Sequence, residues 1–262
     1  RQAQLDNMRF WLDLGVDGFR LDTVNFYFHD AELRDNPPVP KGEAKTLGAP
    51  EANPYTWQRH VYDLSRPENL DFLKDLRALM DEYPGTTSVG EVGDDDALGV
   101  MAEYSQGGKR LHMCYSFNLL TDKADPGYLH ETLTEMEARI GDGWPCWALG
   151  NHDVTRLATR WQAQGQLDKL RLYMVFLLSQ RGSVCLYQGE ELGLPEAELT
   201  FEQLVDPAAI HIDDFETPAL IGEMVAFVGQ PLEHMQCVPR RGAEFAVFAI
   251  FDAQPIGEHV GG

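Results

Sequence analysis

Short, almost wholly apolar runs alternate with stretches of helical periodicity, and that rhythm leaves few folds open to this chain. The runs fall at residues 16–22, 86–92, 111–120, 146–153 and 183–189, the fourth including its exit loop. A strand half exposed to water alternates apolar with polar residues. These do not, so both faces are expected to be covered and the sheet to be parallel, with helices as the crossovers. The periodicity predicts helices over residues 2–14, from Pro67 to a close before Pro84, over 94–105, from Tyr128 to Ile140, and over 167–180 with Gly182 as a cap. In the first, Leu5, Met8, Phe10, Trp11 and Leu14 share the helical spacing.

Several of these runs end in acid. Asp22, Glu91 and Asp153 close the first, second and fourth, separated by 69 and 62 residues. A doubly wound sheet alternates in the same way, but it does not by itself explain acids at the carboxyl ends of successive strands. The expected fold class is therefore α/β, a partial (β/α)8 barrel, in which those ends form one rim and active sites lie there. The two-residue period of the first strand puts Phe19 and Leu21 on one side and Gly18, Arg20 and Asp22 on the other. A guanidinium beside a carboxylate keeps it ionised, the state a nucleophile needs. Each feature alone also has a plain structural explanation. Arg20 and Asp22 make an ordinary ion pair at a strand end, Glu91 near Gly93 a polar strand terminus, and Arg156 a partner for some nearby acid. His152, between Asn151 and Asp153, reads as a loop histidine or half a metal pair. No second His or Cys stands at ligand spacing, so neither metal nor other cofactor is expected.

Between Asp22 and Arg66 runs a long connection with prolines at 37, 38, 40, 50 and 54, too long for a simple linker. Its aromatics, Phe26, Tyr27, Phe28, Tyr55, Trp57 and Tyr62, either line a sugar site or pack the loop onto the body. Residues 1–195 read as barrel; 196–262 read as a divergent tail, with short strands expected at 225–228, 235–238 and 244–251.

The 42 acidic against 21 basic residues, a formal charge of -21, argue against nucleic acid or an anionic membrane as partner and suit a neutral substrate. Cys114, Cys146, Cys185 and Cys237 are too far apart for a zinc site or small disulfide scaffold. Buried free thiols in a reducing compartment follow, hence an expectation of a soluble, cytoplasmic protein with no transmembrane segment. Nothing in the sequence fixes an oligomeric state.

The segments GVDGFRLDTVNF around Asp22, HVYDLSRPENLDFL from His60, SVGEV around Glu91 and ALGNHDVTR around Asp153 resemble the motifs of glycoside hydrolase family 13, the α-amylase family. The likeness is greatest to its bacterial α-glucosidase and oligo-1,6-glucosidase branch. The resemblance covers roughly residues 1–195 and implies that the chain runs from just before strand four of the barrel onward. It implies Asp22 as nucleophile, Glu91 as general acid/base, and Asp153 as the third acid, which holds sugar hydroxyls. It implies Arg20 as the arginine beside the nucleophile and His152 as a contact to bound sugar. Thr23 is expected to shape the leaving-group subsite, and Arg156 is carried as a further substrate-side residue. The implied reaction is retaining hydrolysis of an α-glucoside or short oligosaccharide, with the two carboxyls about 5 to 5.5 Å apart. Transglucosylation and a catalytically silent relative are the alternatives. The family's Arg-Thr-Pro-Met run is replaced here by Glu216-Thr217-Pro218-Ala219, and little or no activity is expected of this polypeptide alone.

Overall fold

A computed structural model describes residues 1–40, 54–198 and the backbone of 247–250. Along these run α1 (Gln2–Asp13), β1 (Gly18–Leu21), α2 (Pro67–Asp81), β2 (Thr87–Val92), α3 (Ala97–Ser105) and β3 (Met113–Ser116). Then follow α4 (Pro126–Ile140), β4 (Cys146–Ala148), α5 (Leu157–Arg160), α6 (Leu167–Leu178), β5 (Ser183–Tyr187) and β6 (Val247–Ile250). Proline at the first position opens both α2 and α4, where its missing N–H costs nothing, and the Asp125 side chain caps α4 by accepting from the backbone of Gly127 and Tyr128.

Among the described residues all strand pairs are parallel, in the order β1-β2-β3 and β4-β5-β6, and a parallel bridge from Cys114 to Pro145 joins the two sheets. Strand order thus follows chain order. A doubly wound sheet reverses direction at a switch point, whereas this succession is that of a barrel wall.

The two-residue period of the strands divides the interior into two cores. Leu21, Val92, Cys114, Trp147, Leu149 and Val184 point outward into the large core shared with the helices. Val89, Met113, Tyr115, Cys146, Ala148 and Cys185 point inward and pack on one another. Both faces of the sheet are therefore covered. The cysteines at 114, 146 and 185 are buried free thiols, and Cys237 lies outside the described residues.

Several local expectations are corrected. Strand β3 does not run over 111–120: it stops at Ser116, where Phe117–Leu119 turns as a 3-10 helix, while Leu111 is tied by its N–H to the Tyr104 carbonyl. Leu111 and Leu120 are buried without being in a strand, so an apolar run overstates strand length. Helix α1 buries Leu12 and rests Leu5 and Met8 on the core but leaves Phe10, Trp11 and Leu14 exposed. Helix α6 ends at Leu178 and is capped by Ser179, not by Gly182. Gly182 instead lies just before β5 with φ +129°, where a Cβ would stand 2.5 Å from the Pro145 carbonyl oxygen. In the tail, the strand expected within 244–251 is Val247–Ile250 and pairs with β5, so it continues the parallel sheet. The strands expected at 225–228 and 235–238 fall outside the described residues.

Candidate active site

Register brings the acids together. Pairing of β1 with β2 sets Leu21 against Gly90, so the next residues, Asp22 and Glu91, leave side by side; pairing of β2 with β3 sets Glu91 against Tyr115. Gly90 permits this approach, since a Cβ there would lie 2.5 Å from Leu111 and 2.9 Å from Val24.

At the centre is Arg20, whose side chain is 3% exposed. Its Nη1 bonds Asp22 Oδ1, and its Nη2 lies 2.8 Å from Glu91 Oε2 and donates to the Tyr115 hydroxyl at 3.1 Å. That hydroxyl in turn donates to Glu91 Oε1 at 2.7 Å. The Thr23 N–H reaches Glu91 Oε2 at 3.3 Å. Two carboxyls held by one guanidinium are neighbours, yet their surroundings differ: the Asp22 side chain is 47% exposed and that of Glu91 only 2%.

Burial pushes the Glu91 carboxyl up to about 7; Arg20 and the Tyr115 hydrogen bond work against that rise, while hydrogen bonding with Asp22 and the charge of Asp153 add to it. The arrangement thus supplies an open carboxylate beside a fixed cation and a second carboxyl that keeps its proton near neutrality. A nucleophile and a proton donor can both be drawn from such a pair.

Asp153 stands in the loop after β4 and is 26% exposed. It is tied within its own turn: Asn151 Nδ2 donates to Oδ2 at 3.0 Å, the Asp153 N–H donates to Asn151 Oδ1 at 3.0 Å, and His152 Nε2 lies 3.4 Å from Oδ1. Arg160 anchors the same loop from beneath by donating to the carbonyls of Leu149, Thr155 and Thr121. Arg156 turns toward the exit of β5, where it donates to the Gln188 carbonyl at 2.7 Å and lies over the Tyr187 ring. Its backbone N–H donates to Glu196 Oε2 at 2.7 Å, and its charge acts on the Glu190 carboxyl.

Sequence reasoning missed three kinds of support. Tyr115 shares the inward parity of Met113, and that period was a legible signal for it. Asn25 is fully buried, donates to Ser65 Oγ at 3.0 Å and to the Gly93 carbonyl at 2.9 Å, and so staples the loops after β1 and β2; Asn69 of α2 does the same for Val24 and Tyr104. A polar residue in the apolar spacing of α2 was the available sign. Thr23 has φ +40°, a left-handed conformation that costs a β-branched residue strain, and nothing in its local sequence announces that. The connection's aromatics mainly pack: Tyr27 and Phe28 lie against Phe72, and Tyr55 stacks on His60. The Tyr27 hydroxyl is pushed up to about 12, by burial first and then by the charge of Asp22. Among the described residues no group of three or more His, Cys, Asp or Glu is placed to hold a metal ion, and no helix is long and apolar enough to cross a membrane.

Comparison with known proteins places this geometry in context. The family model described as "Alpha amylase, catalytic domain" matches residues 1–218. A probable alpha-glucosidase of Rhizobium meliloti (strain 1021) is 51% identical over 215 residues, 80% of this chain and 39% of that protein. An oligo-1,6-glucosidase of Parageobacillus thermoglucosidasius is 28% identical over 264 residues, 94% of this chain and 43% of that protein. The solved structure of an alpha-glucosyl transfer enzyme, XgtA, superposes with a TM-score of 0.76 at 53% identity, covering 80% of this chain and 39% of that one. Trehalulose synthase MutB, at 22% identity and a TM-score of 0.64, shares the fold. The chain thus spans about two fifths of the length of the relatives it matches.

Proposed function

This chain belongs to the alpha-amylase family, residues 1–218 matching its catalytic domain, and on that premise we propose that it carries the acid-bearing part of a retaining α-glucosidase. Residues 1–195 form the later part of the catalytic barrel, with β1 to β5 as its strands four to eight and the remaining residues as a divergent tail. Glucose is released from the end of short α-linked oligosaccharides.

Asp22 attacks the anomeric carbon as the glycosidic C–O bond breaks, and Glu91 gives its proton to the departing oxygen. Glu91, now ionised, takes a proton from water, whose oxygen then displaces Asp22 and restores both acids. Arg20 holds Asp22 by a charge-assisted hydrogen bond for the attack. Asp153 and His152 hold hydroxyls of the terminal sugar, and Thr23, next to the nucleophile, borders the leaving-group side. The observation that carries this reading is one guanidinium shared by an open carboxylate and a buried carboxyl raised to about 7.

The test is a chimera in which residues 1–195 replace the matching segment of the Rhizobium relative. It is expected to hydrolyse p-nitrophenyl α-glucoside, to release α-glucose first from maltose by NMR, and to be trapped as a glucosyl adduct on Asp22 by 5-fluoro-α-glucosyl fluoride. A folded chimera without turnover, or β-glucose as first product, overturns the reading. The solved structure at 53% identity is described as a transfer enzyme, so the same digest is read for maltose-derived trisaccharide, which reports capture of the glucosyl-enzyme by a sugar hydroxyl in place of water.

A further inference from the structure

We propose that Tyr115 is a positioning residue for Glu91: its hydroxyl, set by Arg20, holds Oε1 and steadies the ionised carboxylate between the two half-reactions. The inference rests on the function proposed above and goes beyond the carboxylates and arginine that carry it.

A guanidinium only donates, so the bond from Arg20 Nη2 at 3.1 Å occupies a lone pair of the Tyr115 oxygen. The phenol has one proton, and that proton is directed to Glu91 Oε1, 2.7 Å away. Oε1 is therefore an acceptor whether Glu91 is charged or neutral. Oε2 likewise faces donors, the Thr23 N–H at 3.3 Å and the Arg20 guanidinium at 2.8 Å, so once the proton has left, both oxygens of the carboxylate are held, Oε1 by the phenol alone. When Glu91 has given its proton away, the same phenol faces a full negative charge and its bond strengthens.

The geometry makes this more than a packing contact. Tyr115 is 2% exposed among Val89, Met113 and Cys146, so no water replaces its hydroxyl. Its place opposite Glu91 is fixed by parallel pairing of β2 with β3, not by a mobile loop. Its hydroxyl also makes both of the contacts a buried phenol needs. Removing the oxygen alone, as in Tyr115→Phe, keeps the ring and leaves Glu91 Oε1 without its donor. Arg20 and Tyr115 both stabilise the ionised form of Glu91, whereas burial opposes it.

The experiment follows the Glu91 carboxyl by carbon-13 NMR through a pH titration of this chain, the signal being assigned by its loss in Glu91→Gln. No turnover is required. In Tyr115→Phe the titration midpoint is expected to move upward by about half a pH unit or more, with the melting temperature within a few degrees of the parent. In the active chimera the alkaline limb of kcat/KM should move the same way. A midpoint that stays in place or moves down, whatever happens to stability, overturns the proposal. Should the phenylalanine variant fail to fold, 3-fluorotyrosine introduced at position 115 donates more strongly and must lower the midpoint; no movement there is equally fatal. If glucosyl trapping on Asp22 fails while the Glu91 midpoint moves as expected, the function reading falls and the Tyr115–Glu91 relation stands. If trapping succeeds and the midpoint does not move, only the role of Tyr115 falls.

Discussion

Glu91 and Glu190 are the same chemical group in nearly the same burial, at opposite sides of the arc of strands. Burial lifts both carboxyls to about 7. Their wiring differs. Both oxygens of Glu91 meet donors or a cation, and one guanidinium links it to the open carboxylate of Asp22. Glu190 accepts only the Tyr187 N–H at 3.3 Å on Oε2, while Oε1 is buried without a partner among the described residues and is wedged against Gly150, where a Cβ would lie 2.8 Å away. A raised carboxyl therefore does not identify a catalytic acid. What identifies it is connection, through a shared cation, to a second, solvent-facing carboxyl.

The largest effect that tests this contrast is on rate. In the chimera, Glu91→Gln is expected to lower kcat/KM for maltose by about 10²–10⁴-fold, whereas Glu190→Gln should remain within a fewfold of the parent. Comparable losses in both would erase the distinction.

Next comes stability against pH. A carboxyl whose folded value is raised contributes no penalty below its unfolded value of 4.5, and the stability present there is lost as pH rises through about 7. Glu190→Gln cannot ionise and escapes that loss. It should therefore exceed the parent by about 2–3 kcal/mol in denaturant titrations at pH 8 and show little difference at pH 4. A gain that is equal at both pH values would place the cause in packing. The smallest expected effect concerns the strain beside Asp22. Thr23→Gly relieves a left-handed backbone and should raise stability by about 1 kcal/mol by chemical denaturation. A decrease would mean that packing of the Thr23 side chain outweighs the strain.

Much of this was legible beforehand because backbone geometry is local. The helices opening at Pro67 and closing at Ile140, the inward parity of Arg20, and acids on strand ends all follow from periods of 3.6 and 2. Where prediction failed, the deciding contact was distant. Phe10, Trp11 and Leu14 have the spacing of a buried face, but the core meets α1 through Leu5, Met8 and Leu12. Leu120 is apolar because it packs on the inner core, not because β3 extends to it.

The sequence by itself determined the alternation of strand and helix and which side chains share a face, since each depends on a repeat contained within a few residues. Tertiary structure alone decided the lateral register that sets Asp22, Glu91 and Tyr115 at one level. That register is fixed by contacts such as Gly90 against Leu111 and Val24, residues far apart in the chain whose close packing no local window contains.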